Sequence, residues 1–239
     1  MKELYIFCEG QTEQSFCKQV LQPHLFPQHD GILRTLPVGW KNYHGVKGIG
    51  KYSMLRKFIA NTLKSRKEWC IYFTTLIDLY GLPSDFPGKA ASVVRNPSNP
   101  TPYVEALEEA WGKDISDPRF RPYLQLHEYE TLLFAEPEAF AWSFVDCQDQ
   151  IAALKAIAAS FTSIEKINDA LETAPSKRIS AVFPEYPGRK ATVGPDVAEY
   201  IGLTVLRAKC PHFDKWLTWL ENLKWQAQGD EKGDEKGTE

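Results

Sequence analysis

The sequence predicts an α/β fold, in which a doubly wound, mainly parallel four-stranded sheet precedes a helical C-terminal extension. Up to about residue 150, short apolar segments rich in aromatic and β-branched residues alternate four times with segments of helical spacing. Beyond that point no strand-like segment remains. Strands that alternate with helices form parallel sheets, because each crossover has to pack a helix on a face of the sheet.

The first strand is predicted over residues 3–8, an apolar, aromatic-rich segment that ends at Glu9 and Gly10. A helix with Thr12 as its cap is expected to follow and to continue as far as Pro27. Its apolar residues recur at helical spacing: Phe16, Val20, Leu21 and Leu25.

The second strand is predicted over residues 32–38, followed by a glycine-rich connection and an amphipathic helix over residues 54–63. Residues 69–77 form the clearest strand in the sequence, since they are uncharged and rich in β-branched and aromatic side chains up to Asp78. Glycines and prolines break the chain directly beyond it.

The fourth strand is predicted over residues 122–126, after a helix over residues 103–111, and leads into a further helix through Leu132, Leu133 and Phe134. The extension is predicted to be helical over residues 151–161, 164–171, 195–208 and 212–225. We therefore expect an α/β domain at residues 1–148, a helical extension at 149–228 and a disordered acidic tail at 229–239.

Composition excludes several classes of protein. With 43% hydrophobic and 25% charged residues, the chain can build a packed core and is not wholly disordered. No apolar run approaches the roughly 20 residues that span a bilayer, and five cysteines without a C-x-x-C pair argue against a disulfide framework. We expect a cytoplasmic protein with no membrane partner; the sequence leaves its oligomeric state open.

Acidic residues follow three of the four predicted strands. Glu9 follows the first strand, with Glu13 one helical turn later, and Asp78 follows the third. Glu128 and Glu130 follow the fourth, beside His127. Ligands bind beyond the carboxyl ends of parallel strands. Clustered carboxylates repel each other unless a hard cation neutralises them, and oxygen ligands favour Mg²⁺ or Mn²⁺.

Each of these residues also has a plain structural interpretation. Glu9 fits the favoured negative charge at a helix N-terminus, and Glu13 fits an exposed helix position. Asp78 fits a turn residue that bonds its own loop, and His127 fits a structural histidine. We favour function for Glu9 and Asp78. The candidate metal ligands are Glu9, Glu13, Asp78, Glu128 and Glu130.

Bases are concentrated next to this predicted site. Residues 31–67 contain nine lysines and arginines and no acid, a distribution that attracts polyanions. A solvated basic helix face explains the run equally well. The candidate phosphate-binding residues are Lys41, Lys47, Lys51, Arg56, Lys57, Lys177 and Arg178.

Together, a carboxylate metal site and adjacent bases predict a nuclease that hydrolyses phosphodiester bonds in DNA or RNA with Mg²⁺ or Mn²⁺. In this scheme Glu9 acts as acid or base and Asp78 is a catalytic metal ligand. A phospho-acceptor receiver domain, which the residues from Asp78 to Pro83 also suggest, is disfavoured because such domains carry adjacent acids after the first strand.

The arrangement resembles the Toprim superfamily, in which a Glu after the first strand and a DxD element after the third surround the metal. The first motif, Glu9-Gly10-Gln11-Thr12-Glu13, is similar to the EGxTE form found in overcoming-lysogenization-defect type nucleases. Asp78 takes the first DxD position, but Tyr80 stands at the second and cannot replace a carboxylate ligand.

A closer resemblance, to a bacterial domain-of-unknown-function family numbered 4276, covers nearly the whole chain before the tail. Its patterns are similar to Glu9-Gly10-x-Thr12-Glu13, Asp78-Leu79-Tyr80-Gly81-Leu82-Pro83, His127-Glu128-Tyr129-Glu130, Pro175-Ser176-Lys177-Arg178-Ile179 and Cys210-Pro211-His212-Phe213. The resemblance implies a Toprim-like, metal-dependent nuclease of an anti-phage or toxin-type system with an ATPase partner. The alternative is a catalytically degenerate, regulatory subunit of such an ATPase complex.

Overall fold

A parallel sheet with helices on both faces forms the centre of the computed structural model, which describes residues 1–38, 40–41, 47–48, 50–66, 70–89, 96, 99–167 and 171–225. In chain order the strands are β1 (Lys2–Cys8), β2 (Gly31–Pro37), β3 (Trp40–Lys41), β4 (Lys47–Gly48), β5 (Ile71–Asp78), β6 (Phe120–Arg121) and β7 (Leu124–Gln125). The sheet order is β2-β1-β5-β6, all parallel, and β7 pairs with the end of β5. Strands β3 and β4 form a separate antiparallel ribbon.

The helices are α1 (Gln11–Phe16), α2 (Gln22–Leu25), α3 (Tyr52–Ser65), α4 (Thr101–Ile115), α5 (Gln148–Ala159), α6 (Pro175–Val182), α7 (Tyr186–Lys209) and α8 (Pro211–Glu221). A π-helical turn, Cys17–Leu21, joins α1 to α2. Short 3-10 helices cover Leu79–Gly81, Tyr129–Ala135, Pro137–Trp142, Ile164–Lys166 and Leu171–Thr173. In the part of the chain described, no helix is both long and apolar enough to cross a membrane.

Two apolar clusters pack on opposite faces of the sheet, which confirms the α/β class and the helical C-terminal stretch. The helical turns after β1 and the C-terminal helices share one cluster, in which Leu4 of β1 lies together with Phe16 and Phe213. Helices α3 and α4 share the other with Phe73 of β5. Because the first cluster extends from β1 to α8, the proposed boundary at residue 148 crosses a continuous core and stays a prediction.

The fourth predicted strand, residues 122–126, is interrupted. Pro122 separates β6 from β7, since proline has no amide hydrogen to donate to a neighbouring strand. The Thr75 side chain bridges the gap: its Oγ1 accepts a hydrogen bond from the Tyr123 amide at 2.8 Å and lies 2.6 Å from the Tyr123 carbonyl oxygen, to which it donates. At this edge of the sheet, hydrogen bonds of the Thr75 side chain therefore replace the backbone hydrogen bonds that a continuous strand would make.

Several helix predictions are corrected by the structure. Thr12 is not the cap of α1, which begins after Gly10, and the predicted helix through residues 132–134 is a 3-10 helix. The helix expected over residues 164–171 is limited to short 3-10 turns where the chain is described. Helices α6 and the first part of α7 were not predicted. The acidic tail at 229–239 lies outside the described residues.

Candidate active site

The candidate site lies where β1 and β5 end side by side. After β1 the chain continues to α1 on one face of the sheet, and after β5 it continues to α4 on the opposite face. Because the two connections diverge, a crevice opens between the ends of β1 and β5. Glu9 follows β1 directly, and Asp78 is the last residue of β5. A cavity of about 480 Å³ is lined by both residues together with Glu13 and Lys190.

Glu9 is fixed against the neighbouring strand. Its Oε2 accepts a hydrogen bond from the Asp78 amide at 3.3 Å. Burial, and after it the charge of Glu13, raises the pKa of Glu9 from 4.5 to about 7. Gly81 makes room for this carboxylate, because a Cβ at that position would lie 2.6 Å from Oε2. Glu9 can therefore exchange a proton near neutral pH.

Glu13 is buried, not exposed on the helix surface. Its Oε2 accepts a hydrogen bond from the Gly10 amide at 2.7 Å, which is the half of a capping box that a glycine N-cap can form at the start of α1. Burial, with a contribution from the charge of Glu130, raises the pKa of Glu13. One of its two oxygens thus has a structural partner in the helix cap.

Asp78 carries a buried oxygen for which the described part of the chain offers no partner. No hydrogen-bond partner for its Oδ1 is found among the described residues, which differs from a turn aspartate whose oxygens both bond their own loop. Burial, and then the charges of Glu9, Glu13, Glu130 and Glu128, raise the pKa of Asp78 well above its usual range. An unsatisfied buried oxygen in a native protein calls for an explanation such as a bound ion or a catalytic role.

Glu128 and Glu130 follow a strained residue and lie close enough to Asp78 for their charges to raise its pKa. His127 adopts a left-handed backbone conformation with φ of 63°, which costs about 1–3 kcal/mol outside glycine. Glu128 Oε2 accepts a hydrogen bond from the Ser176 amide in the first turn of α6 at 3.0 Å. Glu130 is almost completely buried, and its Oε1 accepts a hydrogen bond from the Tyr186 hydroxyl at 3.2 Å.

The ring of His127 is held by a backbone carbonyl group. Its Nε2 lies 3.0 Å from the backbone carbonyl oxygen of Glu165. The Glu165 carboxylate in turn accepts hydrogen bonds from the amides of His212 and Phe213 at the start of α8. His127 and the start of α8 therefore both contact Glu165, which lies in a short 3-10 turn. This connection supports the structural interpretation of His127.

Two side chains of the site were missed by sequence reasoning, Lys190 and Tyr186. The Lys190 ammonium lies 2.7 Å from Glu130 Oε1. Although burial alone would lower it, the pKa of Lys190 is raised by the charges of Glu130, Glu128 and Asp78, so the side chain stays protonated. The sequence feature that points to this pair is their spacing of four residues, which places both side chains on one face of a helix.

The oxygen-only donor set matches the preference of Mg²⁺ and Mn²⁺, and within the described ranges Asp78 Oδ1 has no protein donor. Nevertheless, in the described part of the chain no three His, Cys, Asp or Glu side chains are grouped as a ready metal site. The hydrogen bonds of Glu9, Glu13 and Glu128 to backbone amides account for this separation. The chemistry of the donors fits such a cation, provided that side chains reorient.

The predicted phosphate-binding residues fall into three groups. Lys51, Lys57 and Lys177 are exposed, and Lys51 stands at the start of α3, on the edge of the sheet that carries the site. Arg56 is paired with Asp114 at 2.7 Å, and Arg178 donates to the Thr173 carbonyl oxygen at 2.7 Å, so both have structural partners. Lys41 and Lys47 pair through their backbones, and their side chains lie outside the described residues.

Comparison with known proteins decides the family. The family model described as "Domain of unknown function (DUF4276)" matches residues 8–221, which include the carboxylates and Lys190. The chain belongs to the DUF4276 family. Neither a curated protein nor a solved structure matches this DUF4276 chain. The site residues described above all lie within the matched range, so the crevice belongs to the family's shared region.

Proposed function

We propose that this DUF4276 chain is a Toprim-like nuclease that hydrolyses phosphodiester bonds in DNA or RNA with the help of Mg²⁺ or Mn²⁺. One observation carries the proposal. Carboxylates from the ends of β1 and β5, and from the segment after β7, are close enough to Asp78 for their charges to raise its pKa, and the buried Oδ1 of Asp78 has no partner among the described residues. Such a costly arrangement is typical of a site that performs chemistry.

In this proposal Glu9 is the residue that accepts and donates the proton. Its pKa of about 7 allows it to take a proton from an attacking water or return one to the leaving oxygen near neutral pH. The Asp78 amide orients its carboxylate, and Gly81 leaves the space for it.

Asp78 would hold the cation, with Glu13, Glu128 or Glu130 as further ligands. When bound, Mg²⁺ or Mn²⁺ supplies charge stabilisation for a phosphate oxygen and for the leaving group. Glu13 and Glu128 each keep one oxygen on a backbone amide, so their second oxygens are the ones to contribute. Lys51, at the N-cap of α3, and Lys57, on α3, are both exposed and would contact phosphates of the polyanion.

The test is a cleavage assay with purified protein on supercoiled plasmid, single-stranded DNA and bulk tRNA, in Mg²⁺, Mn²⁺ or EDTA. We expect metal-dependent cutting that Asp78→Asn abolishes while the fold, followed by circular dichroism, is preserved. Asp149→Asn, a matched change at an exposed position of α5, should cut like the wild type. Cleavage retained by Asp78→Asn would rule out this site.

A second candidate function is a catalytically degenerate regulatory or recognition subunit of an ATPase complex. Tyr80 at the second DxD position favours it, as does the lack of a ready three-ligand group among the described residues. Calorimetry separates the two functions. A nuclease should release or absorb heat on titration with millimolar Mn²⁺ and gain thermal stability, whereas the degenerate subunit should do neither.

A further inference from the structure

Lys190 places a positive charge beside the carboxylates of the site. Within the described residues, it is the cation that forms an ion pair with the carboxylate cluster, through Glu130 Oε1 at 2.7 Å. Glu130 is only 1% exposed, and a buried carboxylate without a partner is strongly unfavourable. The lysine side chain is 40% exposed and lines the same cavity as Glu9 and Asp78.

The backbone that carries Lys190 is firmly held. A Cβ on Gly194 of α7 would lie 3.1 Å from Thr12 Cγ2 and 3.1 Å from Tyr129 Cε1, so glycine permits a close approach of α7 to α1. The Tyr129 hydroxyl donates a hydrogen bond to the Gly194 carbonyl oxygen at 3.2 Å. The part of Lys190 that can move is therefore its long, flexible side chain and not the backbone of α7.

An ammonium and a divalent cation cannot share Glu130 Oε1 without strong repulsion between like charges. We propose that Lys190 is a built-in counterion, which holds the cluster together in the absence of metal and leaves Glu130 when a divalent cation binds. Its ammonium then faces the mouth of the cavity, where it binds an anionic group of the substrate such as a phosphate oxygen. This inference rests on the divalent cation of the proposed function.

The test measures Mn²⁺ affinity of the full chain by isothermal titration calorimetry, with MnCl₂ as the probe. Lys190→Gln keeps a hydrogen-bond donor but removes the competing charge, so we expect it to bind Mn²⁺ at least about tenfold more tightly than the wild type. Its melting temperature should fall in EDTA and recover in Mn²⁺. Lys190→Arg retains the charge and should keep the wild-type affinity.

Lys215→Gln provides the matched control, because Lys215 forms an equally short ion pair of 2.7 Å with Glu105 away from the site. It should leave Mn²⁺ affinity unchanged. Equal or weaker Mn²⁺ binding by Lys190→Gln would overturn the counterion role, even if the wild type cuts nucleic acid. Tighter Mn²⁺ binding by Lys190→Gln, together with no cleavage of any substrate by the wild type, would support the counterion and reject the nuclease. If Lys190→Gln does not fold, a wild-type affinity in Lys190→Arg supports the inference, and a tighter one overturns it.

Discussion

Replacing Glu9 by Gln should make the metal-free protein more stable at alkaline pH, although it removes the residue to which we assign the proton transfer. The pKa of Glu9 rises from 4.5 to about 7 in the folded protein, mainly through burial. Each pH unit between the two values corresponds to about 1.4 kcal/mol, so the folded state loses about 3 kcal/mol when Glu9 ionises.

The sign follows from proton binding. Between pH 4.5 and about 7 the folded protein holds a proton on Glu9 that the unfolded chain has released. This contribution to stability is complete below pH 4.5 and is lost as the pH rises through about 7. Glutamine resembles the protonated form at every pH and retains an acceptor for the Asp78 amide. The advantage of Glu9→Gln should therefore grow from near zero at pH 4.5 to about 3 kcal/mol at pH 8.5.

The assay is urea denaturation in EDTA at several pH values from 4.5 to 8.5, followed by circular dichroism. Glu109→Gln, at an exposed glutamate paired with Lys113 on α4, should follow the wild-type curve. The reasoning is refuted if Glu9→Gln and the wild type change stability in parallel over this range, or if the variant is the less stable at pH 8.5.

Two further substitutions test the surroundings of the site. Gly81→Ala should place a Cβ 2.6 Å from Glu9 Oε2 and displace the end of that flexible side chain, so it should abolish cleavage and lower the free energy of unfolding only slightly in a urea titration. Unchanged cleavage would contradict the role of Gly81. Trp216→Phe should remove the buried hydrogen bond from Nε1 to Thr74 Oγ1, 2.9 Å long, and cost about 1–3 kcal/mol at unchanged Mn²⁺ affinity. An altered affinity would show that α8 influences the site.

The strands that position the site could be predicted from the sequence. Strands β1, β2 and β5 begin and end within two residues of the predicted ranges, because buried parallel strands consist of uninterrupted apolar and β-branched residues. Glu9 and Asp78 could be placed together for the same reason, since parallel strands deliver their last residues to one edge. These inferences depend on local pattern and on the direction of the strands alone.

The rest depends on contacts that local pattern does not reveal. The start of α7 contains Pro187 and Gly188, which are typical of a loop, yet proline is well tolerated in the first turn of a helix. Lys190 consequently reaches Glu130 from a segment that was not predicted to be helical, so its spacing of four residues from Tyr186 could not be recognised as a shared helix face. Glu165 is equally hidden, because its role comes from amides at the start of α8, more than forty residues away.

The order in which the site residues occur along the chain also matters during synthesis. Glu9, Glu13, Asp78 and Glu130 all leave the ribosome before their counterion, since Lys190 comes sixty residues after Glu130. Until α7 has emerged, the nascent chain cannot bury these acids at low cost. The strands of the sheet can begin to pair earlier, but the crevice can close only after Lys190 has been translated.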